Sequence, residues 1–196
     1  MIELIIDTTT NSNLIGIFKD GKSLADFKSD KDSPRDANDE LMKITDELLE
    51  KTKLSIEEIE RIIVILGPGS YTGSRSGLAF TKAISQVTQA NLYGISRLDV
   101  IASKGINAFP TEIAVNSREK LQYVKKYEFE EDLYFKRDEG KVEELSDTKD
   151  YEVLSNEVNI KDIQGYAVEY IKHNKPDDFL TLLPVYLKEP NITQPK

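Results

Sequence analysis

The sequence contains no cysteine, no tryptophan and a single histidine, His173. Without thiols there are no disulfides, no thiolate catalysis and no zinc–sulfur sites. One histidine leaves no multi-histidine metal cluster and argues against a Ser-His-Asp triad. Positive charge is also scarce: 26 Lys and Arg stand against 35 Asp and Glu, a formal net charge of -9. Gripping a nucleic-acid backbone needs a positive patch, so the chain is a poor RNA binder on its own. No apolar run approaches the roughly 20 residues needed to span a bilayer. The opening, Met1-Ile2-Glu3-Leu4-Ile5-Ile6-Asp7, lacks the basic and long apolar segments of a signal peptide. The expected location is the cytoplasm, with no membrane contact.

What is present can build a core. The 196 residues are 39% hydrophobic and 31% charged, enough for one large domain or two small lobes. Ile2 to Asp7 reads as a buried strand ending on a carboxylate, and Leu14 to Phe18 as a second. Lys19-Asp20-Gly21 turns the chain, with Gly21 free to take positive φ, and a third strand runs through Leu24, Ala25 and Phe27. A helix is expected from about Pro34 to Glu50, with Leu41, Ile44, Leu48 and Leu49 as its apolar stripe and Met42 on the flank. Ser55 and Glu58 fit a capping box. The fully apolar run Ile62-Ile63-Val64-Ile65-Leu66 predicts a central strand covered on both faces.

After the next helix, Tyr93 to Ile95 is a short strand, and Ser96 with Asp99 suggests the cap of a helix reaching Gly105. The expected fold class is α/β with a mixed sheet. Beyond residue 105 the pattern weakens. Strand candidates are Thr111–Val115, Leu121–Tyr127 and Leu133–Phe135, with hairpins and loops over 136–159. Ile160–Lys172 reads as a helix aligning Ile163, Ala167 and Ile171, and Leu182 to Leu187 as a segment that packs back.

The sharpest local feature is Gly67-Pro68-Gly69-Ser70-Tyr71-Thr72-Gly73, between the apolar strand and a helix expected over Ser74–Gln89. Amides at that helix start could hold an anion. The spacing is neither GxxxxGK[ST] nor GxGxxG, so the other reading is a turn that lets helix and sheet approach closely. Along the helix Gly77, Ala79, Ala83 and Ala90 are small, while Phe80, Ile84 and Val87 are large and at core spacing. The small face could pack within the domain or meet a helix of another chain, and periodicity does not choose between them.

Asp7-Thr8-Thr9-Thr10 follows the first strand. In ATP-handling folds a carboxylate there orients magnesium and nearby hydroxyls meet phosphate, but those turns normally carry a glycine where Asn11 and Ser12 stand here. Three hydroxyls serve equally as local turn caps. His173 reads as a solvated residue at a helix C-terminus. Lys125, Lys126, Lys136 and Arg137 could form a small basic patch, although Glu128, Glu130, Glu131 and Asp132 between them favour a solvated hairpin. No nucleophile has a partner base, so a peptidase is the weakest reading.

The segment Ile65 to Ala79, read with Gly67-Pro68-Gly69-Ser70-Tyr71-Thr72-Gly73 at its centre, resembles the signature of the TsaB (YeaZ) family. Leu4 to Thr10, Tyr93-Gly94-Ile95-Ser96-Arg97-Leu98-Asp99, Asn116-Ser117-Arg118 with Tyr123, and Leu183-Pro184-Val185-Tyr186-Leu187-Lys188 are similar to further family segments. The resemblance implies an actin-like, hexokinase-like (ASKHA) fold of two ribonuclease-H-like lobes with mixed sheets, the first over 1–105 and a second, reduced one over 106–196. It implies a non-catalytic subunit, without cofactor or metal, that pairs with and activates the threonylcarbamoyltransferase TsaD in forming N6-threonylcarbamoyladenosine at position 37 of tRNA. The ATPase TsaE joins that pair, tRNA is met only indirectly, and a homodimer uses an overlapping surface.

Carried onto this sequence, the implied pairing surface lies on the helices around 35–50 and 74–90, with Leu41, Met42, Leu49, Ser76, Ala79 and Ala83 as candidates. Two departures stand out: Arg35-Asp36-Ala37-Asn38-Asp39 occupies the place of a family His-Ser pair, and Asn116 that of an aspartate. The competing expectation is an ATP- and magnesium-dependent phosphotransferase or ATPase of the same fold, with Asp7, Thr9 and Gly69 lining the site.

Overall fold

The fold is taken from a computed structural model that describes residues 1–10, 12–29, 37–105, 111–116, 121–127, 141–144, 152–155 and 157–186. Three strands, β1 (Ile2–Asp7), β2 (Leu14–Lys19) and β3 (Lys22–Lys28), form an antiparallel meander. Asp20 at φ 50° and Gly21 at φ 78° make the β2–β3 turn, the positive-φ pair that a two-residue hairpin requires. Helix α1 (Ala37–Thr52) and a 3₁₀ turn at Ile56–Glu58 lead into β4 (Arg61–Gly67), which lies parallel to β1. Helix α2 (Tyr71–Thr88), strand β5 (Asn91–Ser96) and helix α3 (Arg97–Gly105) follow. The first sheet has the order β3-β2-β1-β4-β5, as expected for a ribonuclease-H-like lobe.

Alternation along the central strands explains why they read as continuous apolar runs. Leu4, Ile6, Ile62, Val64 and Leu66 face α1 and α2, packing on Leu41, Ile44, Leu48, Leu49, Leu78 and Ile84. Ile5, Ile63 and Ile65 face the opposite layer, which holds Leu98, Val100 and Ile101 of α3. Both faces are covered, so the strand interiors are apolar, and the buried carboxylates near the two ends of β1, Glu3 and Asp7, are each held by an arginine, Arg61 and Arg97.

The second sheet has the order β8-β7-β6-β9, built from β6 (Thr111–Asn116), β7 (Leu121–Tyr127), β8 (Lys141–Glu144) and β9 (Glu152–Leu154). Helix α4 (Ile160–His173) begins with Asn159 accepting from the amides of Lys161 and Asp162. Its stripe of Ile160, Ile163, Tyr166, Ala167 and Tyr170 is buried against Ile5, Leu14 and Phe18. The helix after the second sheet therefore returns to the first, and an expected boundary at 105/106 separates it from the sheet it covers.

The chain then follows the β5 edge. The Asp177 amide donates to Leu92 O at 2.7 Å, and Asp177 Oδ2 accepts from Gly94 N at 2.8 Å. Leu182 is buried against the first core, and Val185 N donates to Leu66 O at 2.9 Å. The expected packing of this segment on the first lobe is thus observed as far as Tyr186.

Helix α2 starts at Tyr71 rather than Ser74, because Ser70 caps it by accepting from Gly73 N. Val87, placed at core spacing by the sequence, is 75% exposed. It shares the outward strip of α2 with Ser76 and Ala83, turned away from the buried strip of Gly77, Thr81 and Ile84, while Ala90 beyond it is still in the core. The expected strand at Leu133–Phe135, the helix start at Pro34 and the family-like residues Leu187 and Lys188 lie outside the described residues.

Candidate functional site

The β1–β2 turn and the glycine loop meet at the C-terminal end of the first sheet. Strand β1 ends on Asp7, which is fully buried. Its Oδ1 accepts from Thr9 N at 2.8 Å and from Thr9 Oγ1 at 2.6 Å. Its Oδ2 accepts from the guanidinium of Arg97, the first residue of α3, whose side chain is 6% exposed. Parallel pairing of β1, β4 and β5 brings these two strand ends together.

The glycine loop closes on the same turn. Ser70 N donates to Thr9 O at 2.6 Å, and Thr8 Oγ1 donates to Gly73 O at 2.6 Å. A Cβ on Gly69 would stand 2.1 Å from Thr9 O, one on Gly73 1.9 Å from Thr8 O, and one on Gly77 2.3 Å from Thr8 Oγ1. All three positions need hydrogen because backbone or hydroxyl oxygen lies against the Cα. The Gly67–Pro68 peptide is cis, and Gly67 takes φ 121° beside Val185 O. The glycines serve the close approach of α2 to β1.

Asp7, Thr9 and Gly69 are therefore brought together, but as partners of one another. The rival expectation places magnesium and nucleotide at these residues, which do not fit that group. A guanidinium already neutralises the carboxylate, and Thr9 fills its other oxygen. Among the described residues no group of three or more His, Asp or Glu could hold a metal ion.

The outward side of α1 and α2 is different. Met42 is 59% exposed, Ala79 and Ala83 are exposed, and Ser76 is half-buried. Exposed Val87 adds to the α2 surface. Helix α2 contains no Asp or Glu over its 18 residues, so its surface is weakly charged in an acidic protein. Leu41 and Leu49, two of the expected pairing residues, are 0% and 7% exposed. Their spacing with Ile44 and Leu48 turns them into the core, which corrects their assignment to an outer surface.

At the outer edge of the glycine loop, Tyr71 and Tyr186 pack with ring centroids 4.8 Å apart. Arg75 lies 5.3 Å over the Tyr71 ring and donates to its hydroxyl at 2.8 Å. Burial, then the neighbouring Tyr71, raises the Tyr186 phenol. His173 is exposed in the last turn of α4.

Lys125 corrects both the basic-patch reading and the favoured reading of a solvated hairpin. It is 4% exposed, and its ammonium donates to Asp99 at 2.7 Å. Lys136 and Arg137 lie outside the described residues. Sequence reasoning named Arg97 and Asp99 without finding either ion pair. The available signal was an arginine directly after a strand parallel to the one ending in Asp7.

A family model described as "TsaD: tRNA N6-adenosine threonylcarbamoyltransferase" matches residues 31–176. The chain belongs to this family. Within it, the chain is similar to the curated "tRNA threonylcarbamoyladenosine biosynthesis protein TsaB" of Escherichia coli (strain K12). Identity is 26% over 99 residues, covering 50% of this chain and 42% of that protein. The matched stretch thus spans less than half of that relative.

Two solved structures from Pseudomonas aeruginosa share the fold. One, described as an uncharacterized protein with similarity to peptidase YEAZ, has a TM-score of 0.73 at 16% identity, covering 95% of this chain and 99% of that one. The other, described as YeaZ, has a TM-score of 0.69 at 18% identity with the same coverage. The expected membership of the TsaB (YeaZ) family and the expected actin-like, hexokinase-like fold are both borne out. Among the described residues no helix is long and apolar enough to cross a membrane.

Proposed function

We propose that this chain is a non-catalytic subunit in tRNA threonylcarbamoyladenosine formation, binding and activating a TsaD-type threonylcarbamoyltransferase. The observation that carries this reading is the division of α2 into two faces. One face is locked by Gly73 and Gly77 onto Thr8. The other offers Ser76, Ala79, Ala83 and Val87, with Met42 on the neighbouring helix. Small residues let another helix approach closely, and the low charge reduces the desolvation cost of burial.

The subunit acts in this reading by holding its partner in a competent arrangement and completing the surface that a TsaE-type ATPase meets. A second copy of the chain competes for the same face, and tRNA is met through the partner. The working location is the cytoplasm. In this reading the first lobe spans 1–105 and the second, reduced one 106–196, with α4 of the second packed on the first sheet.

The rival is an ATP-dependent phosphotransferase or ATPase using Asp7, Thr9 and Gly69. The Arg97–Asp7 pair argues against it, since releasing that carboxylate for magnesium would strand a buried guanidinium. Reconstituted modification of a tRNA substrate tests the proposal. With TsaD, TsaE and the carboxylation enzyme present, omitting this chain should abolish product. Undiminished product without it would overturn the reading.

A further inference from the structure

Helix α3 sends two buried ion pairs to two different sheets. Arg97 reaches Asp7 at the end of β1 in the first sheet. Asp99, in the same turn, accepts from Lys125 of β7 in the second sheet at 2.7 Å. The side chains of Lys125 and Asp99 are 4% and 6% exposed. A lysine and an aspartate so far from water are costly unless each neutralises the other, so separating them is strongly opposed.

The apolar contacts follow the same path. Leu98, Val100, Ile101 and Ala102 of α3 sit in the first sheet's core, and Tyr123 of β7 packs against that same cluster. Strand β9 also packs against α3. Asp99 faces α4 as well: the Tyr166 phenol is raised, mainly by burial and secondarily by the Asp99 charge.

We propose that α3 is a fixed strut between the two sheets, with Arg97–Asp7 as one anchor and Asp99–Lys125 as the other. The angle between the lobes is then set by the chain itself, with no bound ligand needed to hold it. This inference stands apart from the partner reading, because it concerns the isolated subunit.

The test uses the full chain and an Asp99→Asn/Lys125→Met double variant, which removes both charges and leaves neither stranded. Hydrogen exchange and small-angle scattering are measured for both proteins. Amides of β6 and β7 should exchange about tenfold faster in the variant while those of β1 and β4 keep their protection, which makes the opening local rather than global. The radius of gyration should rise.

Unchanged exchange and radius, or equal acceleration in both sheets, would overturn the strut and leave a pair that only adds stability. A measurement on the unmodified chain stands even if the variant fails to fold. Under increasing denaturant, amides of α3 and β7 should open as one unit. Opening of β7 while α3 stays protected would contradict the proposal.

Discussion

The guanidinium of Arg97 donates to the Asp7 carboxylate across 90 positions of sequence, at a point where the core has closed over both side chains. Each group satisfies a charge that the other would leave buried. Losing one partner from such a pair typically costs about 3–5 kcal/mol. Arg97→Met should therefore unfold at markedly lower urea concentration than the parent. Asp7→Asn/Arg97→Met should recover much of the loss, because no net charge stays buried. A single variant as stable as the parent would mean that the pair is not closed in solution.

Two glycines on different helices should respond in opposite directions. Gly73→Ala places a Cβ 1.9 Å from a backbone oxygen, and overpacking of this kind costs about 1–3 kcal/mol. Gly165 lies inside α4 with nothing within 4 Å of its would-be Cβ. Gly165→Ala should stabilise by about 0.5–1 kcal/mol, the helix-propensity difference. Thermal melts of the two variants should shift to opposite sides of the parent. Shifts in the same direction would contradict the packing of the glycine loop.

The two faces of the α1–α2 layer separate stability from pairing. Ala83→Glu adds charge to an exposed position, so the melt should match the parent while partner binding falls. Leu41→Glu buries a carboxylate in a site that is 0% exposed and should unfold the chain. Circular dichroism with a pull-down on the partner checks both. An Ala83→Glu variant that binds as well as the parent would move the pairing face elsewhere.

The Tyr166 phenol provides a pH test. Burial and the Asp99 charge raise it above the ordinary tyrosine value of 10.0. The neutral form is favoured by the fold, so the associated stability is complete below 10.0 and is lost as pH rises above it. Absorbance at 295 nm should show a late tyrosine class that titrates only with alkaline unfolding, and Tyr166→Phe should remove one residue from that class. An unchanged late class would place Tyr166 in a more open setting.

Much of the first lobe was legible in the sequence because its signals are local. The run Ile62–Leu66 announced a strand covered on both faces, Asp20-Gly21 announced a hairpin turn, and three glycines in Gly67–Gly73 announced a close approach. What the glycines approach was not legible. Thr8 and Thr9 lie far away in sequence, and no periodicity pairs them with Gly69 and Gly73. The same holds for Lys125: its neighbours are charged, so the residue reads as solvated until the fold brings Asp99 beside it. Val87 shows the converse: three positions after Ile84 it reads as core, yet it falls on the outward strip with Ala83. The return of α4 to the first sheet was hidden because an amphipathic stripe shows that a helix is covered and says nothing of what covers it.

The proposed pairing face for a TsaD-type subunit lies on α2 and its neighbour α1. Light-scattering mass after size exclusion tests it most directly, on this chain alone, on the TsaD-type subunit alone, and on their mixture. A one-to-one complex should replace any homodimer and be lost in Ala83→Glu. A mixture that elutes as two separate, folded components under every nucleotide condition would contradict it.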